Sequence, residues 1–193
     1  FFNDLFDIQK VTINSNRNGA GGYTLFIPKD DYEMFPTKKF LLANLIVSLG
    51  GRAAEEVLFK NMNKSLLEYQ NEEIFKKISN LDVTTGATND LKQANNIARK
   101  CISTYGLGKN IALYDGNDGG QPFLGRQIAS ENKMSEYVKQ NIDKEVNELV
   151  NWGYKAAVEI IENNYEAFIF LKDLLIIKRS LSEHDFKGVT VNY

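Results

Sequence analysis

The side chain in this sequence best placed to do chemistry is Asp90. It falls in the first turn of an expected helix whose apolar stripe runs Leu91, Ala94, Ile97, Ala98, Cys101, Ile102 and Tyr105. At about 100° per residue, Asp90 sits at the edge of that stripe, whereas Lys92, Asn96, Arg99 and Lys100 lie clearly outside it. A carboxylate at the margin of a buried face needs a compensating partner. Two partners fit. One is the helix end itself, because an acidic residue in the first turn meets free N–H groups and the positive end of the macrodipole, worth about 0.3–1 kcal/mol. The other is a metal ion or another cation. Spacing alone leaves both open and weighs toward the helix end.

The elements that must position Asp90 are mainly helical. Thr84-Thr85-Gly86-Ala87-Thr88 reads as a turn, with Thr88 as the cap and Gly106 as the left-handed residue ending the helix. Upstream, Thr37 follows Pro36 as an N-cap, and Phe40, Leu41, Leu45, Ile46, Leu49, Ala53, Val57 and Leu58 recur at helical spacing. Gly50-Gly51 lies inside that pattern, either admitting the close approach of another backbone or breaking the helix. Residues 60–82 are dominated by Asn, Lys and Glu and read as a surface insertion that could hold a weak helix. Gly108 to Gly125 reads as loop. Residues 133–193 form a C-terminal helical part. In it a long helix from Met134 carries Val138, Ile142, Val146, Leu149, Gly153, Ala156 or Ala157, and Ile160 inward, and a second helix runs from about Tyr165 to Lys178. Ser182-x-x-Asp185 resembles a capping box.

Near the start, Lys10 to Ile13 alternates as a short strand, with Val11 and Ile13 on one face. Tyr23 to Ile27 alternates likewise, with Tyr23, Leu25 and Ile27 on one face and Thr24 and Phe26 on the other. Around the polar turn Asn14–Gly22 they make a two-stranded β-ribbon. The expected fold is therefore mainly α, with this small ribbon near the N-terminus and a C-terminal helical bundle.

Composition excludes several function classes. The chain has 193 residues, 43% hydrophobic and 25% charged, with a net charge of −2, so it can bury a sizeable core and shows no basic footprint for nucleic acid. A single cysteine, Cys101, excludes an internal disulfide framework and reads as core. A single histidine, His184, excludes a two-histidine metal site built from this chain alone, and its place in the polar C-terminal turn marks a surface residue. No apolar run reaches the roughly 18–20 residues of a membrane span; the most apolar stretch, Ala167 to Ile177, is interrupted by Lys172 and Asp173. The chain opens on Phe1-Phe2-Asn3-Asp4 without an initiator Met or a leader pattern, and reads as cut from a longer polypeptide, with any anchor upstream.

Four blocks, in order, resemble the peptidase domain of the FtsH family of AAA+ ATP-dependent zinc metalloproteases. They are Gly19-Ala20-Gly21-Gly22-Tyr23-Thr24 with Ile27-Pro28, then Leu49-Gly50-Gly51-Arg52-Ala53-Ala54-Glu55-Glu56, then Val83 to Leu91, then Tyr105-Gly106-Leu107-Gly108. The resemblance implies that residues 1–193 are a peptidase domain lacking its zinc helix. In that family zinc is held by two histidines of H-E-x-x-H, which spacing would place about five to nine residues before Phe1, and by an aspartate at the position of Asp90. With the family in view, Asp90 becomes the expected metal ligand. No catalytic residue is expected within this chain, because the general-base glutamate belongs to the upstream motif. The chemistry so implied is attack of a zinc-activated water on a peptide carbonyl of unfolded or membrane proteins. The segment Gly22, Tyr23, Thr24 and Leu25 corresponds to an edge strand onto which a protein or peptide substrate can add as a further strand; an ordinary hairpin strand is the equal alternative.

Further implications of the resemblance lie outside these residues: ATP and magnesium in an upstream ATPase module, a homo- or hetero-hexamer, and an upstream membrane anchor. The bacterial inner membrane, the mitochondrial inner membrane and a plastid membrane are not distinguished. The chain departs from the family at Gly21, where leucine is usual, at Ser15, where proline is usual, and in the extra segment 60–82. Glu55 and Glu56 are rival zinc ligands, ranked lower because paired glutamates on a helix flank are ordinarily solvated or salt-bridged. Alone, the chain is expected to be inactive. Two other readings compete: a pseudoprotease subunit with a structural role in a hexameric assembly, and an unrelated helical interaction module.

Overall fold

The computed structural model describes residues 2–14, 21–29, 32, 35–67, 83–109 and 136–189. In chain order the elements are β1 (Phe6–Thr12), β2 (Tyr23–Pro28), α1 (Lys38–Leu67), α2 (Thr88–Ser103), α3 (Glu136–Asn163), α4 (Tyr165–Lys178), β3 (Ser180–Ser182) and α5 (Glu183–Phe186). The fold is mainly α with one small antiparallel sheet, as the periodicities indicate. The chain forms two compact units, one of residues 1–40 with 158–193 and one of residues 41–157.

The first unit holds the sheet. Its strand order is β2-β1-β3, so β1 is central and β2 lies at an edge. β1 pairs with β2 from Phe6↔Pro28 to Thr12↔Tyr23, with an irregularity between Ile8 and Lys10. It pairs with β3 through Lys10↔Ser182, Val11↔Leu181 and Thr12↔Ser180. The expected two-stranded ribbon is thus three-stranded, and β1 begins at Phe6 rather than Lys10. A three-residue strand carries too little alternation to be read from sequence. The turn into β3 is made by Arg179 at φ 63, a left-handed conformation for a residue with a Cβ. Its carbonyl accepts the Ile13 N–H at 3.1 Å and the Thr12 hydroxyl at 3.1 Å. That bond explains why polar Thr12 is buried at the strand end. The packed face of the ribbon is the one carrying Phe6 and Phe26, whose rings meet edge-on at 5.3 Å; Phe6 also lies 5.0 Å from Phe40. Thr37 caps α1 as expected, its hydroxyl accepting the Phe40 N–H at 3.2 Å. The Ser182 and Asp185 capping box also forms, with Asp185 Oδ2 accepting the Ser182 N–H at 2.8 Å.

The second unit contains most of α1 and α3 together with α2. Leu45, Leu49, Ala53 and Val57 of α1 are buried, as are Ala94, Ala98, Cys101 and Ile102 of α2, and Ile142, Val146, Gly153 and Ala157 of α3. Tyr105, placed on the stripe by spacing, is exposed just past the end of α2. Gly106 takes φ 60 there, the left-handed stop read from the sequence. A Cβ on Gly153 would stand 3.2 Å from Leu45 Cδ2 and from Leu49 Cδ1, so α1 and α3 meet where this glycine makes room. Gly153→Leu is expected to cost about 1–3 kcal/mol by overpacking, read as a lower urea midpoint at unchanged m-value.

Two sequence expectations are corrected within α1 and α2, at Gly50-Gly51 and at Thr88. α1 runs unbroken through Gly50-Gly51, and a Cβ on Gly50 would meet nothing within 4 Å, so no backbone approaches there. α1 also continues through Lys60 to Leu67, the first part of the segment read as an insertion that could hold a weak helix, in a stretch free of Gly and Pro after Gly51. The rest of that insertion, 68–82, lies outside the described residues, as do Ser15, Gly19, Ala20 and most of the loop assigned to 108–125. Thr88 is the first helical residue of α2, not its cap; Ala87 takes the cap position without a side-chain bond. The Thr88 hydroxyl donates instead to the Thr85 carbonyl at 2.6 Å.

Candidate metal ligand and substrate strand

Asp90 is the acidic residue in the first turn of α2. Its residue is exposed, and no hydrogen bond or ion pair engages its carboxylate among the described residues. The helix dipole still favours the charge there, but no amide occupies the oxygens. Asp90 Oδ2 stands 3.5 Å from where a Cβ on Gly51 would lie. The carboxylate therefore lies against α1 at a residue without a side chain. The glycine pair that spacing treated as a backbone problem thus sets its second member beside a carboxylate.

The turn before α2 is tied to α1 by a small polar cluster. Arg52 Nη1 donates to the Thr84 carbonyl at 3.0 Å, and the Thr84 hydroxyl donates to Glu55 Oε1 at 2.6 Å. The Gly86 N–H returns to Thr84 Oγ1 at 3.1 Å, and the Thr88 N–H reaches the Thr85 carbonyl at 3.1 Å. Glu56 is engaged separately: its Oε2 accepts the hydroxyl of Tyr154. Burial, and then that bond, push the Tyr154 phenol well above its usual range. Both rival ligands, Glu55 and Glu56, thus have hydroxyl partners, whereas Asp90 has none among the described residues. Nothing in the sequence signalled Arg52 or Thr84, because the contact joins residues about thirty positions apart.

The proposed substrate-strand residues Gly22, Tyr23, Thr24 and Leu25 lead into and form the first half of β2, an edge strand of the described sheet. Tyr23, Leu25 and Ile27 share one face and are 41%, 48% and 46% exposed. The apolar alternation read from the sequence therefore faces outward, and Phe26 supplies the packing instead. Gly22 is tightly placed: a Cβ there would stand 2.6 Å from the Thr12 carbonyl oxygen and 3.2 Å from Ile13 Cα. Gly21, by contrast, has open space around it. Asp90 belongs to the second unit and β2 to the first.

A catalytic zinc site normally has three protein ligands and keeps a further position open. The donor chemistry of Asp90 suits one of the three. Among the described residues no three His, Cys, Asp or Glu side chains gather as a site. His184 is exposed on α5 in the first unit, and Cys101 is buried in the second. Nor is any helix of the described residues long and apolar enough to cross a membrane.

Comparison with known proteins adds an independent line. The model of the family described as Peptidase family M41 matches residues 1–66 and 69–189. The protein named ATP-dependent zinc metalloprotease FtsH of Trieres chinensis is 31% identical over 189 residues, covering 97% of this chain and 26% of that protein. The Arabidopsis thaliana protein named ATP-dependent zinc metalloprotease FTSH 1, chloroplastic, is 34% identical over 188 residues, covering 96% and 24%. The FtsH of Chloroflexus aggregans is 37% identical over 158 residues, covering 81% and 21%. The chain spans about a quarter of the length of the curated relatives it matches.

Proposed function

The chain belongs to peptidase family M41, and on that premise we propose that it is the C-terminal portion of the proteolytic domain of an ATP-dependent zinc metalloendopeptidase. The observation that carries this reading is the Asp90 carboxylate, lying against Gly51 with no hydrogen bond or ion pair among the described residues. A carboxylate already committed to neighbouring amides would have little to offer a cation.

In this reading Asp90 is one zinc ligand, and two histidines from upstream of Phe1 are the others. Zinc, when bound, supplies Lewis acidity toward water and the peptide carbonyl. The chain's own residues hold and orient. The cluster of Arg52, Thr84 and Glu55 ties the turn before Asp90 to α1. β2 offers its edge to an extended substrate, whose main chain can pair without regard to sequence, while exposed Tyr23, Leu25 and Ile27 give apolar side chains a surface. Residues 1–193 then form one peptidase domain without its zinc helix. ATP and magnesium in an upstream ATPase module, a membrane anchor there, and assembly as a homo- or hetero-hexamer complete the proposal. They are supported by the resemblance and, for ATP and zinc, by the names of the relatives.

The test compares zinc content and casein cleavage in the 193-residue chain and in the full-length protein. The chain alone is expected to hold no tight zinc and to leave casein intact, while the full-length protein does both. Near-stoichiometric tight zinc together with casein cleavage by the chain alone would overturn the proposal. A full-length protein lacking both activities would assign the chain to a structural subunit instead.

A further inference from the structure

We propose that Glu55 is a positioning residue for Asp90, acting through Thr84. The inference rests on the reading of Asp90 as a metal ligand. Asp90 makes no hydrogen bond or ion pair among the described residues, so its place beside Gly51 of α1 depends on how the start of α2 is held. That start is held at Thr84, and from two sides. Arg52 takes its carbonyl at 3.0 Å, and Glu55 Oε1 takes its hydroxyl at 2.6 Å. Arg52 and Glu55 stand one turn apart on α1, with Arg52 Nη1 4.0 Å from Glu55 Oε2, and they flank the helix just after Gly51. Thr84 passes the constraint on through its oxygen, which accepts the Gly86 N–H at 3.1 Å, and the Thr85 carbonyl then receives the first helical amide, Thr88. Glu55 Oε2 is shielded from solvent yet accepts no hydrogen bond among the described residues. A desolvated carboxylate oxygen costs stability, and here the same group fixes the register of the turn. A metal ligand needs placement to a few tenths of an ångström, and supporting partners of ligands ordinarily contribute about 10–100-fold in metal affinity.

The experiment uses the full-length protein, with zinc affinity measured by competition against a chromogenic chelator and amide exchange measured across Thr84–Leu91 in the zinc-free state. Glu55→Ala is expected to weaken zinc binding at least about tenfold and to speed exchange at Gly86–Asp90. Thr84→Val should reproduce both effects. Glu55→Gln keeps an oxygen that accepts the Thr84 hydroxyl, and should return zinc affinity to within about threefold of wild type, far less than the loss typical of a missing supporting partner. A Glu55→Gln protein as weak as Glu55→Ala would mean the charge itself is needed, and the positioning role would be wrong. Wild-type zinc affinity in Glu55→Ala, with zinc lost in Asp90→Asn, would also overturn the inference while leaving the ligand reading standing. Undiminished zinc in Asp90→Asn would remove the ligand reading, and this inference with it.

Discussion

Asp90→Asn is expected to lower zinc affinity of the full-length protein by at least about 100-fold and to abolish casein cleavage, with the fold intact. The substitution keeps size and one oxygen but removes the charge that a zinc ligand supplies. The loss should exceed the 10–100-fold typical of a mere supporting partner. Little structural cost is expected, because the residue is exposed and makes no hydrogen bond or ion pair among the described residues. The one identifiable loss is the interaction of the charge with the helix end, about 0.3–1 kcal/mol. Zinc content and the thermal midpoint together decide the matter. Lost zinc at a nearly unchanged midpoint supports a ligand. Retained zinc with a slightly lowered midpoint would mean that Asp90 serves only the helix terminus.

Gly22→Ala should be the most damaging single-methyl change in the first unit. The added carbon would lie 2.6 Å from the Thr12 carbonyl oxygen and 3.2 Å from Ile13 Cα, and both are backbone atoms that cannot rotate away. Thr12 is pinned in turn by the Arg179 carbonyl, so the far side of β1 does not yield easily. The expected cost is about 1–3 kcal/mol, concentrated in the pairing of β1 with the start of β2. Hydrogen exchange should accelerate at Thr24 and Val11, and peptide hydrolysis by the full-length protein should lose substrate affinity while zinc content stays constant. Gly21→Ala is the control. Nothing lies within 4 Å of its new carbon, so stability should hold or improve by about 0.4–1 kcal/mol. Equal behaviour of the two variants would contradict the geometry of the strand.

Helical periodicity carried most of the fold. α4 runs Tyr165–Lys178, the bounds read from the apolar pattern, and the stops at Gly106 and the box at Ser182 rest on local chemistry. Features that depend on distant partners were not legible. β3 is three residues long and exists because β1 lies beside it. Thr12 is buried because the Arg179 carbonyl is there to receive its hydroxyl. The outward apolar face of β2 shows the limit of alternation, which gives two faces but not which of them is covered. Asp90 reads as a metal ligand only when residues in four separate blocks are taken together. Its position at the margin of an apolar arc, taken alone, weighs toward a helix-end partner. Gly51 acquired meaning only from its spatial neighbour, since a glycine inside a helix pattern says that something is small and not what occupies the space.

The sheet of the first unit has a consequence for synthesis. β1 is made well before β3, and the two pair in one hydrogen-bonded ladder. A chain emerging from the ribosome can form the β1–β2 hairpin at once, but one side of β1 must then wait, unsatisfied, until β3 has been made. Closing so long a loop carries an entropic cost that grows only slowly with length, yet it delays the event and lengthens exposure of a strand edge to wrong partners. Completion of this sheet therefore waits on the synthesis of Ser180–Ser182, and a nascent chain stalled before Ser180 would present an open β1 edge to chaperones.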